Sequence, residues 1–169
     1  MSDVLPWLEY RWNFDYPAGM YRAFVERLRG TPARLEEALR GVSVDRLSAR
    51  PDGKWSVLEQ VGHLRMVEEL WRRRLEEYLA GAARLTAADM RNDATVAAVF
   101  NARRAEDLLA DFRAARSTTV ATLDSSGLDI AERVAHHPRL DRPMRLVDLC
   151  LFAAEHDDHH LAAIRALLR

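Results

Sequence analysis

The chain has 169 residues, 49% of them apolar and 30% charged, which is one domain's worth of core-forming sequence and excludes wholesale disorder. With 25 Lys and Arg against 26 Asp and Glu the net charge is −1, so there is no footprint for non-specific nucleic-acid binding. The single Cys150 excludes an intrachain disulfide and, with an acidic, aromatic Met1–Tyr16 start unlike a signal peptide, predicts a cytoplasmic protein. The longest apolar run, Leu149–Ala154, has six residues against the roughly 20 that span a bilayer, so no membrane partner is expected.

Helical periodicity dominates the chain. From Pro17 to Arg29, Met20, Tyr21, Phe24, Val25 and Leu28 recur at three- and four-residue steps. Gly30-Thr31-Pro32 then either ends this helix, with Thr31 capping a second one through Arg40, or kinks a single long helix at Pro32. Pro51-Asp52-Gly53 is a turn, and Ser56 followed by Glu59 has the spacing of a capping box opening a helix to about Ala80, which Gly81 stops. Ala82–Phe100 reads as irregular or as one short helix, and Asn101–Leu123 as the third long helix. A linker containing Pro138 and Pro143 leads to the last, about Met144–Leu168. Amphipathic helices of this length bury their apolar stripes against one another, so the expectation is an all-α four-helix bundle in a single domain, residues 1–169.

Five of the six histidines sit close together in sequence. On the last helix, Leu149, Ala153, His156, His160, Ala163, Ile164 and Leu167 share one stripe, so two imidazoles interrupt the core face for one turn. His63 lies on or near the apolar face of its own helix, with Val67 and Leu70. Burying a lone imidazole without partners costs a few kcal/mol; three in one core call for a ligand. An i,i+4 His pair can direct two ring nitrogens to one ion, and a third from a facing helix leaves a coordination position open. The predicted metal set is His63, His156 and His160. Three nitrogens do not choose among Zn, Ni, Cu and Fe. His159 reads as a flanking residue, and His136 and His137 as structural or exposed loop residues.

Glu59 and Asp157 are the candidate general bases, with a capping role and plain exposure as their respective alternatives. Glu155 and Asp158 read as solvated and Cys150 as a packed small residue. Trp7, Tyr10, Trp12, Phe14 and Tyr16 form a cluster that either covers the bundle end, walls the pocket or contributes to a dimer contact. Arg72-Arg73-Arg74, followed by Glu76 and Glu77, reads as a solvated, self-neutralising helix face.

Two stretches, Gly53–Leu64 with its Trp55-Ser56, Glu59 and His63-Leu64, and His137-Pro138 with Leu146–Leu161 including His156 and His160, resemble the DinB/YfiT-like superfamily. The likeness covers most of the chain. It implies an up-down-down-up bundle with a long crossover that includes Ala82–Phe100, a metal triad on the same three histidines, and a homodimer. It further implies one divalent ion (zinc or nickel first, then iron) and a small-molecule substrate or a thiol such as bacillithiol or mycothiol. The implied activities are metal-dependent hydrolysis and thiol S-transfer, with a non-catalytic metal-binding stress-response module as the alternative. One departure stands out: Ala163 occupies the place where the family often carries Gln.

Overall fold

The computed structural model describes residues 4–169; the first residues of the Met1–Tyr16 stretch lie outside them. Four long helices, α1 (Tyr21–Leu39), α3 (Val57–Leu79), α5 (Ala105–Ser125) and α7 (Leu146–Leu167), form the bundle, with α2 (Val44–Ser48), α4 (Asp93–Ala97) and α6 (Leu128–Ala131) in the connections. Cross-links between side chains fix the directions. Gln60 meets His160 while Tyr78 meets the Met144 carbonyl, so α3 and α7 run antiparallel. Arg27 reaches Glu155 and Thr31 reaches Asp157, so α1 and α7 run parallel. Arg29 pairs with Asp124 and Glu36 with Arg113, which makes α1 and α5 antiparallel. The order is therefore up-down-down-up. Parallel α3 and α5 demand the long crossover between residues 80 and 104, as the resemblance implied.

The helix boundaries follow from local chemistry. Glu59 N–H donates to Ser56 Oγ at 3.1 Å and Ser56 N–H to Glu59 Oε2 at 2.8 Å, completing the expected capping box. At the other end Gly81 takes φ +72°, letting Ala82 N–H reach the Glu77 carbonyl and Gly81 N–H that of Tyr78, the Schellman pattern for terminating carbonyls. Helix α1 passes through Pro32 as one helix. Proline removes the N–H that would bond the carbonyl of Leu28, and Arg116 from α5 supplies a replacement at 2.8 Å.

The linker before α7 differs from expectation. Val134–His137 (β1) and Arg142–Arg145 (β2) pair antiparallel, with Val134 opposite Arg145 and His137 opposite Arg142. The crossover joins this hairpin through His136 N–H to the Ala83 carbonyl and Leu85 N–H to the His136 carbonyl. Two four-residue strands, the second containing Pro143, carry too short an alternation to stand out in sequence. The core divides into two apolar clusters, one around Trp71, Leu75, Val147 and Phe152, the other around Leu35, Leu58, Leu64 and Phe112. Among the described residues no helix is long and apolar enough to cross a membrane.

Candidate metal centre

His63 enters from the second turn of α3, and His156 and His160 from consecutive turns of α7. All three are buried, and one ring nitrogen from each lies within 4.8 Å of the others. His156 Nε2 is 3.4 Å from His63 Nε2 and 3.2 Å from His160 Nε2. The far nitrogens explain the arrangement. His63 Nδ1 is 3.1 Å from Thr95 Oγ1, whose own hydroxyl faces the Met66 sulfur, so the threonine oxygen accepts the imidazole proton. His160 Nδ1 donates to Gln60 Oε1 at 2.5 Å. Both protons then sit on Nδ1, leaving Nε2 of each ring as a bare lone pair turned inward. His156 Nδ1 is buried without a hydrogen-bond partner, so the facing lone pairs of His63 and His160 are relieved either by a cation among the three Nε2 atoms or by the His156 proton. Tetrahedral binding at roughly 2.0–2.1 Å sets ligand nitrogens about 3.3 Å apart, a spacing that the two separations bracket, so the residues fit a metal ion.

Burial holds the three histidines in the neutral form that metal coordination requires. Desolvation, aided by His159 and opposed by Asp89, pushes His63 down to about 4. Desolvation and the neighbouring imidazoles push His156 and His160 well below the usual histidine value. The rings open onto a pocket of about 440 Å³ walled by Trp7, Trp55, Trp71 and Phe152, with Asp89 and Thr95 supplied by the crossover. Trp7 sets its ring edge-on to His156 at 5.1 Å and to Phe152 at 5.1 Å, so part of the N-terminal aromatic cluster is pocket wall.

The DinB superfamily model matches residues 27–164, a span holding α3 and α5 whole, most of α1 and α7, and every one of these histidines. The chain belongs to the DinB superfamily. It is also similar to YfiT from Bacillus subtilis, described as a probable metal-dependent hydrolase with an unusual four-helix bundle topology: TM-score 0.78 at 20% identity, covering 94% of this chain and 91% of that one. No curated protein sequence matches it.

Within this DinB-type frame the two candidate bases are engaged elsewhere. Glu59 accepts from the Ser56 backbone and from Arg50, which together hold its carboxyl below the usual range against desolvation. The capping reading of Glu59 is the one its contacts support. Asp157 is neither exposed nor bonded to an imidazole: Arg116 Nη1 reaches its Oδ2 at 2.6 Å, and Thr31 donates to it at 2.7 Å. Helix α7 is buried around much of its circumference, so the flank beside the histidines that carries Asp157 meets Thr31 of α1 and Arg116 of α5 instead of water. Glu155 and Asp158 are half-buried partners of Arg27, and Asp158 also takes Arg34. Cys150 is packed, and burial pushes its thiol up to about 12.

Three site residues escaped the sequence reading. Gln60 stands in the quoted motif, but only the geometry shows its amide on His160. Arg74 is 1% exposed, unlike the solvated face expected of Arg72-Arg73-Arg74; only Arg72 forms the i,i+4 pair, with Glu76. His137 is buried on β1 and lines the pocket instead of lying in an exposed loop. Their signal was weak, because a long arginine reaching inward past Trp71 looks like a surface residue until the hairpin covers it.

Proposed function

We propose that this DinB-superfamily protein holds one divalent metal ion on the Nε2 atoms of His63, His156 and His160. It acts there on a small molecule, as a metal-dependent hydrolase or a low-molecular-weight-thiol S-transferase. The observation carrying this reading is the inward turn of bare lone pairs, enforced by Gln60 and Thr95, on the wall of an open pocket. Imidazole donors suit zinc or nickel, with iron next. A bound ion of this kind supplies Lewis acidity and lowers the pKa of water or a thiol. The chain's own residues orient the rings, and Trp7, Trp55 and Trp71 keep bulk water from the buried side. The description given to the structurally similar Bacillus subtilis protein supports the hydrolase branch.

A second reading, a metal-binding module without catalysis, is favoured by the engagement of Glu59 and Asp157. Asp89, the acid on the pocket wall, itself accepts backbone N–H groups of Arg91 and Ala94. Elemental analysis of purified protein tests the metal: about one divalent ion per chain is expected, falling sharply in His63→Ala. Unchanged stoichiometry in that variant removes His63 from the set. The metal-loaded protein is then assayed for amide and ester hydrolysis and for conjugation of bacillithiol, mycothiol and glutathione to electrophiles. Turnover supports the enzyme, and bound metal without turnover supports the module.

A further inference from the structure

The pocket beside the imidazoles carries two guanidinium groups and one carboxylate, Asp89, whose oxygens accept the Arg91 and Ala94 N–H groups and pair with neither guanidinium. Arg74 is buried in α3; its Nε donates to the Thr86 carbonyl at 2.9 Å, and its Nη2 is buried without a hydrogen-bond partner. Its Nη1 lies 3.1 Å from His137 Nε2, while Leu140 N–H points at the other nitrogen of the same ring at 3.3 Å. A neutral imidazole has one lone pair, so it cannot accept from both. Arg139, from the hairpin turn, lies over the rings of Trp7 and Phe152 at 5.3 and 5.2 Å. Neither arginine forms an ion pair among the described residues. The nearest acid to Arg74 in charge terms, Glu77, spends both oxygens on Thr86. Ring faces attract a cation less than burial penalises it, and the two guanidiniums also repel each other. Both line the pocket.

We propose that this pocket binds a small molecule bearing an oxyanion, a carboxylate or a phosphate, which Arg74 Nη2 and Arg139 hold while its apolar body rests on Trp7, Trp71 and Phe152. The inference rests on the reading of this pocket as the substrate's, and it names the substrate's charge. The missing partner of each guanidinium is then the ligand itself, and a charge-assisted bond in a desolvated pocket discriminates strongly against a neutral analogue.

The test uses chelator-treated protein with benzoate, phenyl phosphate and benzamide as probes, read by quenching of the pocket tryptophans and by calorimetry. At least one anion is expected to bind about tenfold or more tighter than benzamide, and the tighter of the two identifies the oxyanion. Arg139→Gln, on a half-buried turn, is expected to abolish that preference, as is Arg74→Gln if circular dichroism shows it folded. Equal binding of anion and amide overturns the inference, as does a preference that survives Arg139→Gln. Anion binding seen only after metal is restored overturns it too, while leaving the metal reading intact. Anion preference in a protein that never takes up metal keeps this inference and sinks the metal reading.

Discussion

Gln60 is the residue on which the ligand geometry turns. Its carboxamide holds the proton of His160 on Nδ1, and without it Nε2 is free to take that proton and lose its lone pair. Gln60→Leu keeps the volume and removes the acceptor. Losing such an outer partner typically weakens metal binding about 10–100-fold, and competition against a chromophoric chelator will show a drop of that size with little change in thermal midpoint. An unchanged affinity would mean that the ring is oriented by packing alone. The triad was legible because histidines at i and i+4 on an apolar stripe are costly without a ligand. Gln60, Arg74 and His137 were not, because the residues that fix their roles come from other elements: α7, the crossover and the hairpin. No local pattern encodes such meetings. Asp157 failed for the same reason in reverse, since its partner Arg116 lies on α5.

Among the elements, all four long helices are locked by one buried arginine on α5. Arg116 meets Glu68 at 2.7 Å and Asp157 at 2.6 Å, bonds the Leu28 carbonyl, and is held firmly protonated by those two carboxylates against desolvation. Removing one partner of a buried ionic group strands the others; Arg116→Met is therefore expected to cost about 3–5 kcal/mol in urea unfolding. A loss below about 1 kcal/mol would show that water replaces the guanidinium. Helix α3 carries a second constraint. A Cβ on Gly62 would meet the Phe100 ring at 2.3 Å, because the crossover returns directly over the helix beside His63. Alanine gains roughly 1 kcal/mol of helix propensity over glycine, whereas overpacking of this severity costs about 1–3 kcal/mol or more. Gly62→Ala should destabilise on balance and, by shifting the crossover that carries Thr95, weaken metal uptake; a gain in stability would show that Phe100 moves freely. The four long helices, and the capping box and glycine stop of α3, could be read from sequence, since each rests on spacing along one segment. The hairpin could not, and whether α1 survives Pro32 was left open because the answer depends on Arg116, which lies 84 positions further along the sequence.

For the molecule as a whole, the bundle holds its imidazoles neutral in a buried interior, and this sets its response to acid. His63 and His137 are pushed down to about 4 and about 3, chiefly by desolvation, and His156 and His160 lie well below the usual value. In the unfolded chain each titrates near 6.5. Above that pH neither state binds these protons, and the folded protein keeps its full stability. As the pH falls below it, the unfolded chain takes up protons that the folded interior refuses, so each group removes roughly 1.4 kcal/mol per pH unit until its folded pKa is reached. His63 and His137, acting down to about pH 4, remove a sizeable share of the roughly 5–15 kcal/mol that stabilises a domain, and His156 and His160 shift in the same direction. Urea midpoints of chelator-treated protein should therefore hold steady from pH 8 to 7 and fall steeply from 6.5 to 5. Saturating metal should raise the midpoint by a similar amount from pH 7 down to 5, since the folded rings stay unprotonated there, and lose its effect only near pH 4 and below, where protons compete for the same Nε2 lone pairs. A flat profile from pH 7 to 5 in the metal-free protein would mean that these rings are hydrated in the folded state, and the convergence of bare nitrogens would no longer argue for an ion.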